Sequence, residues 1–253
     1  MKVIVIAAGD SKRLGEITKE IPKGMLKIDH RRVLDFQIEF FKNKKVNEII
    51  IITGKHHKIF NFSNVTYTRD IDYAKHDVLG SLMCARKMMD DELITTYSDI
   101  IPSDTIMKSL LDSKYDIGIG IDLEWEEKYK GRTQHPKEQA DNVLIENGKI
   151  LKIKKNILKY EEDQIIGEFI GMMKLSKNGC KKFNEVYEEL RKNHSGIFHN
   201  ASTFEKAYLT DMLQELIDRG INVEPIFVKD KWVEIDTEQD LENARKYFSV
   251  EHS

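Results

Sequence analysis

Small residues and two cationic side chains follow the first apolar run of the sequence. The small-residue loop consists of Ala7, Ala8, Gly9, Asp10 and Ser11. Small side chains at a strand end let backbone N–H groups approach a phosphate closely, and Arg13 and Lys23 would add positive charge there. The P-loop pattern GxxxxGK followed by Ser or Thr is absent, and the dinucleotide pattern GxGxxG is broken at Ser11. The spacing predicts a phosphate-binding site; the alternative is a tight strand-to-helix turn with basic residues at the surface.

Two aspartates each lie at the end of a predicted strand. Asp99 ends the strand predicted at 92–99 with a single carboxylate. Mg²⁺ prefers oxygen ligands in an octahedron, so a carboxylate at a strand end beside a bound phosphate suits it. The alternative is that Asp99 ends the strand or caps a helix starting near Ser103. Asp236, taken alone, is a turn residue before a helix that Thr237 caps.

An aromatic and charged segment follows the strand predicted at 116–122. Trp125, Tyr129 and Arg132 lie there among four acidic residues, Asp122, Glu124, Glu126 and Glu127. Aromatic faces can bind an organic cation, and an arginine fork suits a phosphate or phosphonate. The segment therefore indicates a pocket for a small molecule that carries a cationic end and a phosphate or phosphonate end. Trp125 and Tyr129 are also spaced to form an i, i+4 helical pair that packs on the core, and that alternative stays open.

Strands and helices alternate in the first half of the chain, as in an α/β protein. Apolar runs predict strands at 2–9, 48–54, 65–70, 92–99 and 116–122, and helical periodicity predicts helices at 33–42, 80–89 and 103–111. Strands rich in isoleucine and valine that alternate with helices indicate a mostly parallel sheet covered on both faces. We therefore expect a Rossmann-like three-layer α/β/α sandwich.

The second half adds a hairpin to this pattern. Asn147-Gly148 separates two alternating runs within 142–155, which predicts a two-residue hairpin turn. A strand at 167–175, helices at 176–193 and about 204–219, strands near 223–228 and 231–235, and a helix capped by Thr237 complete the expected elements. No linker or repeat divides the chain, so we expect one domain over 1–253 with an inserted hairpin lobe at roughly 122–175.

Together, these motifs resemble the signature of the nucleotidyltransferase superfamily, whose members activate phosphorylated head groups with a nucleoside triphosphate. The segments 5–14 and 21–26, with Thr18 between them, carry the resemblance. It implies a nucleotide-diphospho-sugar transferase type of fold, with the triphosphate on the small-residue loop and Arg13 and Lys23 contacting the phosphates in catalysis. It also implies that Asp236, in a late W-x-D/E-I-D-T-x-x-D-L segment, joins Asp99 in binding Mg²⁺ as the cofactor.

The resemblance extends to the base of the nucleotide and to the acceptor, which is the phosphorylated head group that receives the nucleotide. It implies that the insertion at roughly 122–175 binds the acceptor. It implies contacts from Gly80 and Ser81 to the base and ribose. The acceptor side is most similar to cytidylyltransferases for phosphocholine and aminoethylphosphonate, including the nucleotidyltransferase domains fused to phosphoenolpyruvate mutase. The residues that this similarity assigns to the acceptor are Trp125, Tyr129, Arg132, Glu168 and Asp211.

Three functions are compatible with these residues. The first is transfer of CMP from CTP to aminoethylphosphonate, another phosphonate or phosphocholine, with release of pyrophosphate. The second is a sugar-1-phosphate nucleotidyltransferase that uses UTP, CTP or dTTP. The third is an inactive nucleotide-binding regulator, against which the retention of Arg13, Lys23, Asp99 and Asp236 counts. The first is favoured because sugar pockets depend more on neutral hydrogen-bonding groups than on groups such as Trp125.

Composition excludes several classes of protein. The chain has 253 residues and a formal net charge of -3, whereas a general nucleic-acid binder needs a basic excess. Cys84 and Cys180 form no metal-binding or CxxC pattern and suit a reducing compartment. The apolar run at 3–8 is too short for a membrane span and lacks the layout of a signal peptide. We expect a cytoplasmic monomer or homodimer with no nucleic-acid or membrane partner.

Overall fold

The computed structural model describes residues 1–9, 12–44, 46–158 and 160–250. Asp10 and Ser11 of the predicted small-residue loop lie outside the described residues. The strands are β1 (Lys2–Ala7), β2 (Lys27–Ile28), β3 (Arg31–Arg32), β4 (Glu48–Thr53), β5 (Thr66–Arg69), β6 (Leu93–Tyr97), β7 (Ile100–Ile101), β8 (Ile117–Asp122), β9 (Asp141–Glu146), β10 (Lys149–Lys155), β11 (Gln164–Leu175), β12 (Glu224–Val228) and β13 (Val233–Glu234). The helices are α1 (Val33–Lys42), α2 (Val78–Met83), α3 (Asp104–Asp112), α4 (Trp125–Lys128), α5 (Lys177–Asn193), α6 (Leu209–Asp218) and α7 (Glu238–Val250).

Within the described residues, nine strands form one central sheet. Seven of them follow the order β10-β9-β11-β6-β1-β4-β5, while β8 pairs with both β11 and β12. β6, β1, β4 and β5 run parallel, as do β8 and β12, whereas β11 is antiparallel to β6, β8 and β9. The sheet therefore joins a parallel doubly wound part to an antiparallel part that carries the hairpin.

Both faces of the sheet are covered, because successive strand residues point to opposite sides. On one face, Ile4 and Ile6 of β1 belong to a buried cluster with residues of α2, α5 and α6. On the other face, Val3 and Val5 belong to a second cluster with residues of α1 and α3. The predicted three-layer α/β/α sandwich is confirmed by this arrangement.

The hairpin also forms as predicted. β9 and β10 pair antiparallel, and Asn147 and Gly148 between them have φ of 50° and 76°. Two positive φ values are the requirement of a type I′ turn, which Asn-Gly meets at low cost. β9 pairs with β11, so the hairpin extends the central sheet instead of forming a separate domain.

Some predicted boundaries are wrong. The helix expected at 80–89 is α2, which ends at Met83 and is followed by a 3₁₀ turn, Arg86–Met88. The helix expected at 204–219 begins only at Leu209. The residues that precede α6 lie against the start of α2. There, the carbonyls of Glu205 and Ala207 accept hydrogen bonds from the amides of Asp77 and Leu79. In the described part of the chain, no helix has both the length and the apolar character that crossing a bilayer requires.

Candidate active site

A cleft opens at the carboxyl ends of β1 and β6, where open α/β sheets bind their ligands. Its volume is about 540 Å³, which is within the range of small-molecule sites. The predicted site residues that line it are Ala7, Ala8, Gly9, Arg13, Lys23, Ser81, Asp99, Tyr129, Glu168 and Asp236. Residues from distant parts of the sequence therefore converge on one cavity.

Lys23 lies between the two predicted metal ligands. Its Nζ is 2.7 Å from Asp99 Oδ2 and also contacts Asp236 Oδ1. All three side chains are largely buried. Burial by itself would lower the pKa of Lys23, but the two carboxylates outweigh burial and raise that pKa above its usual value. The ammonium therefore stays charged at any physiological pH.

A short ladder explains why Asp99 and Asp236 meet. Asp99 directly precedes β7 and Asp236 follows β13, and these two strands pair antiparallel. The amide of Ile235 also donates to the carbonyl of Asp99 at 3.1 Å. The ladder thus places two carboxylates that are far apart in sequence on either side of one cation.

The turn after Asp236 is held by the predicted helix cap. Asp240 Oδ2 accepts hydrogen bonds from the amides of Asp236 and Thr237, at 3.1 and 2.9 Å. The amide of Asp240 donates in return to Thr237 Oγ1 at 3.2 Å. This reciprocal pair is a capping box, and it confirms Thr237 as the N-cap of α7, which begins at Glu238.

Asp236 has a second cationic partner. Arg13 Nη1 lies 2.7 Å from Asp236 Oδ2. Burial would raise the pKa of Asp236, but the nearby Lys23 and Arg13 charges more than compensate, so the pKa lies below its usual value. Asp236 is therefore ionised and able to bind a cation.

The two aspartates fit a magnesium ion. Asp99 Oδ1 is buried without a hydrogen-bond partner among the described residues, although Oδ2 of the same carboxylate is paired. An orphaned buried carboxylate oxygen is costly unless a ligand satisfies it. Asp99 and Asp236 already share the ammonium of Lys23, so they can also share a divalent cation.

Arg132 occupies a place other than the predicted one. α4 ends at Lys128, and Gly131 has φ of 77°, so no helical stripe continues to Arg132. Its guanidinium makes hydrogen bonds to both oxygens of Asp240, at 2.6 and 3.0 Å, and another to Glu234 at 2.8 Å. Arg132 was expected in the acceptor pocket. Its guanidinium instead binds Asp240, the residue of the capping box that holds the turn after Asp236.

Trp125 and Tyr129 also take different places. Trp125 is buried, donates from Nε1 to the carbonyl of Ile166 at 3.2 Å, and packs edge-to-face on Tyr129 at 5.8 Å. This is the core-packing alternative, and it corrects the expectation that Trp125 faces the acceptor. Tyr129 does line the cleft, where its hydroxyl donates to Glu168 Oε1. Burial and the nearby Glu234 raise the pKa of Glu168 above its usual value.

Asp211 caps a helix instead of lining the cleft. Its side chain accepts hydrogen bonds from the amides of Tyr208 and Asn200, at 2.8 and 3.0 Å, at the start of α6. Tyr208, which this cap holds, does line the cleft. Asp211 was expected to contact the acceptor, but its side chain instead holds the backbone of Tyr208 in place.

Gly80 and Ser81, which the resemblance assigned to the base and ribose, both have partners within the protein. Ser81 lines the cleft and donates to Asp70 Oδ2 at 2.8 Å. Gly80 lies under the ring of His76, where an added Cβ would come within 2.4 Å of a ring atom. Close packing under His76 therefore accounts for a glycine at this position.

Sequence reasoning missed several residues of the cleft. Asp141 and Lys155, at the first and last positions of the hairpin, are cross-strand partners and line the cleft. The hairpin pattern could have indicated them, because it brings these two positions together. His135 lies with Nδ1 3.3 Å from Asp236 Oδ2, and burial and the Arg132 charge lower its pKa to about 4. A lone histidine in a loop gave no signal.

Comparison with known proteins shows which family of proteins this chain resembles. Residues 3–118 match the model of the MobA-like NTP transferase domain. A Campylobacter jejuni protein named CTP:phosphoglutamine cytidylyltransferase is 29% identical over 255 residues, covering 96% of this chain and 98% of that protein. The resemblance to the nucleotidyltransferase superfamily is thereby confirmed.

Solved structures support the same fold. The inositol-1-phosphate CTP transferase from T. maritima has a TM-score of 0.75 at 19% identity, covering 98% of this chain and 94% of that one. The CTP:phosphocholine cytidylyltransferase from Streptococcus pneumoniae has a TM-score of 0.71 at 18% identity, covering 98% of both chains. At these identities the likeness shows the fold, and the Rossmann-like α/β prediction is confirmed.

Proposed function

We propose that the protein transfers CMP from CTP to a small phosphorylated or phosphonylated acceptor and releases pyrophosphate. The observation that carries this proposal is Lys23 held between Asp99 and Asp236 in a cleft at the carboxyl ends of β1 and β6. The similarity over nearly the full length to a protein named for CTP and phosphoglutamine supports CTP as the donor.

The reaction is an in-line attack by an acceptor oxygen on the α-phosphorus of CTP. A bond forms between this oxygen and phosphorus, the bond to the bridging oxygen breaks, and pyrophosphate leaves with the electron pair. The acceptor oxygen is already ionised at neutral pH, so no side-chain nucleophile is needed. Catalysis then depends on positioning the reactants and on neutralising charge.

Two cationic side chains supply most of that neutralisation. Lys23, buried and permanently charged, stabilises the negative charge that builds on the α-phosphate. Arg13 reaches the same place from the exposed side of the cleft and binds the β- and γ-phosphates. Asp99 and Asp236 would hold Mg²⁺, which would offset the repulsion between the anionic reactants.

The acceptor end of the cleft combines acidic, aromatic and basic groups. Glu168, Glu234 and Tyr129 line one part of the wall, and Lys155 lines another. Carboxylates and an aromatic face suit an amine or quaternary ammonium, whereas a lysine suits a phosphorus oxyanion. These groups support an acceptor that carries both, such as aminoethylphosphonate, phosphocholine or a phosphorylated amino acid amide.

A substrate matrix tests the proposal. Pyrophosphate release is measured with CTP, UTP and dTTP, each crossed with phosphocholine, aminoethylphosphonate, phosphoglutamine and glucose 1-phosphate. We expect turnover with CTP and an amine-bearing acceptor, and at least tenfold less with the other donors. Preference for glucose 1-phosphate with UTP or dTTP would instead support a sugar-phosphate enzyme. CTP binding with no turnover in any pair would show a nucleotide-binding regulator.

A further inference from the structure

A buried carboxylate outside the catalytic cluster organises one wall of the cleft. Asp70 directly follows β5, and its side chain is fully buried. Oδ2 accepts from Ser81 Oγ at 2.8 Å, and Oδ1 accepts from the amide of Asp72 at 3.1 Å. His76 Nε2 also lies 3.1 Å from Oδ1. One side chain therefore joins the end of a strand, the following loop and helix α2.

His76 has an oxygen near each ring nitrogen and packs closely against Gly80. Its Nε2 faces Asp70, its Nδ1 lies 3.2 Å from the carbonyl of Asp77, and its ring covers Gly80 so closely that no side chain fits there. The ring thus fills the space between the loop after β5 and the first turn of α2. We call this arrangement of Asp70, His76 and Ser81 the Asp70 hub.

A metal ion is not needed to explain the hub. Ligand-type atoms of Asp70, His76 and Cys84 lie within 4.8 Å of one another. Both oxygens of Asp70 are already engaged by hydrogen bonds, and each ring nitrogen of His76 faces an oxygen. Contacts with neighbouring residues therefore account for both oxygens of Asp70 without a bound ion.

The hub holds residues that form the cleft wall. Tyr73, Ala74 and Asp77 lie on the loop between Asp70 and α2, and they line the cleft together with His76 and Ser81. The sheet order places this wall beside β4 and β5, next to Ala8 and Gly9 after β1. The acidic wall with Tyr129 and Glu168 lies on the opposite side, near β11. The two substrates would therefore meet different walls.

We propose that Asp70 and His76 are positioning residues for the nucleotide, holding the wall from Tyr73 to Ser81 against its base and ribose. This inference rests on the proposed function, because it takes CTP to be the ligand on this side of the cleft. Neither residue acts on the reacting phosphorus. Loosening the wall should weaken binding of CTP while leaving the acceptor and the chemical step nearly unchanged.

Four variants of the full chain test this inference. Asp70→Ala and His76→Ala remove the hub, whereas Asp70→Asn is the conservative change, because its Oδ1 can still accept from the amide of Asp72 and its side-chain N–H can donate to the Ser81 hydroxyl. Asp72→Asn is the matched control, since this exposed carboxylate on the same loop pairs with Lys75 at 2.7 Å. CTP affinity is measured by calorimetry, and KM for each substrate and kcat by pyrophosphate release.

Asp70→Ala and His76→Ala should raise the CTP Kd and KM at least tenfold, with kcat and the acceptor KM changed less than threefold. Asp70→Asn and Asp72→Asn should stay within threefold of wild type. If Asp70→Ala fails to fold, His76→Ala, at a partly exposed site, carries the test. Unchanged CTP binding in a folded His76→Ala, or equal losses for both substrates, would overturn the inference. Wild-type protein that binds no CTP would refute the proposed function itself.

Discussion

Lys23 and Asp99 form an ion pair of 2.7 Å across 76 positions of sequence, and Asp236 shares the same ammonium. The arrangement places a permanent positive charge where the phosphates of a nucleotide would arrive. Because the carboxylates already orient that charge, little reorganisation is needed when charge develops in the transition state. Substitutions can therefore test the role of Lys23 separately from the roles of the two aspartates.

The first prediction concerns Lys23. Lys23→Met removes the charge but keeps much of the volume, so kcat should fall at least about a hundredfold, or about 2.7 kcal/mol in barrier. Lys27→Met is the matched control, because Lys27 is an exposed lysine four positions further on. Steady-state pyrophosphate release measures both variants. A kcat for Lys23→Met within threefold of wild type would show that the ammonium does not act on the reaction.

The second prediction concerns the metal. Asp99→Asn and Asp236→Asn should each lower activity at least about a hundredfold and weaken Mn²⁺ binding in the presence of CTP at least tenfold, because each removes an anionic oxygen ligand. Electron paramagnetic resonance of Mn²⁺ provides a readout that does not depend on turnover. Asp104→Asn, at an exposed side chain paired with Lys44, is the control. Unaltered Mn²⁺ affinity in both site variants would place the metal elsewhere.

The third prediction separates Tyr129 from Trp125. Tyr129→Phe removes the hydroxyl that donates to Glu168 in the cleft wall, so the acceptor KM should rise about fivefold or more while the CTP KM changes little. Trp125→Phe removes a buried hydrogen bond and volume, so it should lower the free energy of unfolding by about 1–2 kcal/mol with little change in either KM. Denaturant unfolding and kinetics on both variants check this. A higher acceptor KM for Trp125→Phe without a loss of stability would instead place Trp125 in the acceptor site.

The fourth prediction follows from the position of Arg132. Arg132→Met leaves Glu234 and Asp240 without their buried cation, so the free energy of unfolding should fall by about 3 kcal/mol. Activity should fall with both substrates, because the capping box that holds Asp236 loosens. Adding Asp240→Asn should restore part of the stability, since it removes one unpaired charge. A selective rise of the acceptor KM in a fully stable variant would instead support the contact that the sequence suggested.

Regular elements could be predicted because their patterns are local. The continuous apolar runs of β1 and β4 and the periodicity of α1 are each set by neighbouring residues, and α1 spans 33–42 as expected. The meeting of Asp99 with Asp236 depends on β7 and β13, which are two residues long and carry no recognisable pattern. For these two aspartates, only the resemblance to a family linked residues that the sequence separates widely.

Arg132 shows why the acceptor pocket was harder to predict. Helical spacing places Arg132 beside Tyr129 only if the helix continues, but α4 ends at Lys128. An arginine released from a helix binds the nearest carboxylates, and these belong to α7 and β13, more than a hundred positions away. A sequence does not reveal which opposite charges will be close after folding.

The last prediction concerns the pH dependence of stability at Asp141. Burial raises the pKa of this carboxyl to about 6, although the nearby Lys155 and Arg13 charges oppose the shift. An unfolded aspartate titrates near about pH 4, so the folded protein holds this proton more tightly than the unfolded chain does. The resulting stabilisation is complete below about pH 4 and is lost as the pH rises through about 6. Asp141→Asn has no proton to lose, so it should not show this loss.

Thermal and denaturant unfolding between pH 4 and pH 7 would test this expectation. Relative to Asp141→Asn, wild type should lose about 1–2 kcal/mol of unfolding free energy over that range, a value reduced from the full two-unit shift because the side chain is partly exposed. Asp163→Asn, at an exposed position in the loop between β10 and β11, should follow the wild-type curve. Parallel curves for wild type and Asp141→Asn would mean that Lys155 keeps Asp141 ionised, which would make the two residues a charged pair in the acceptor wall.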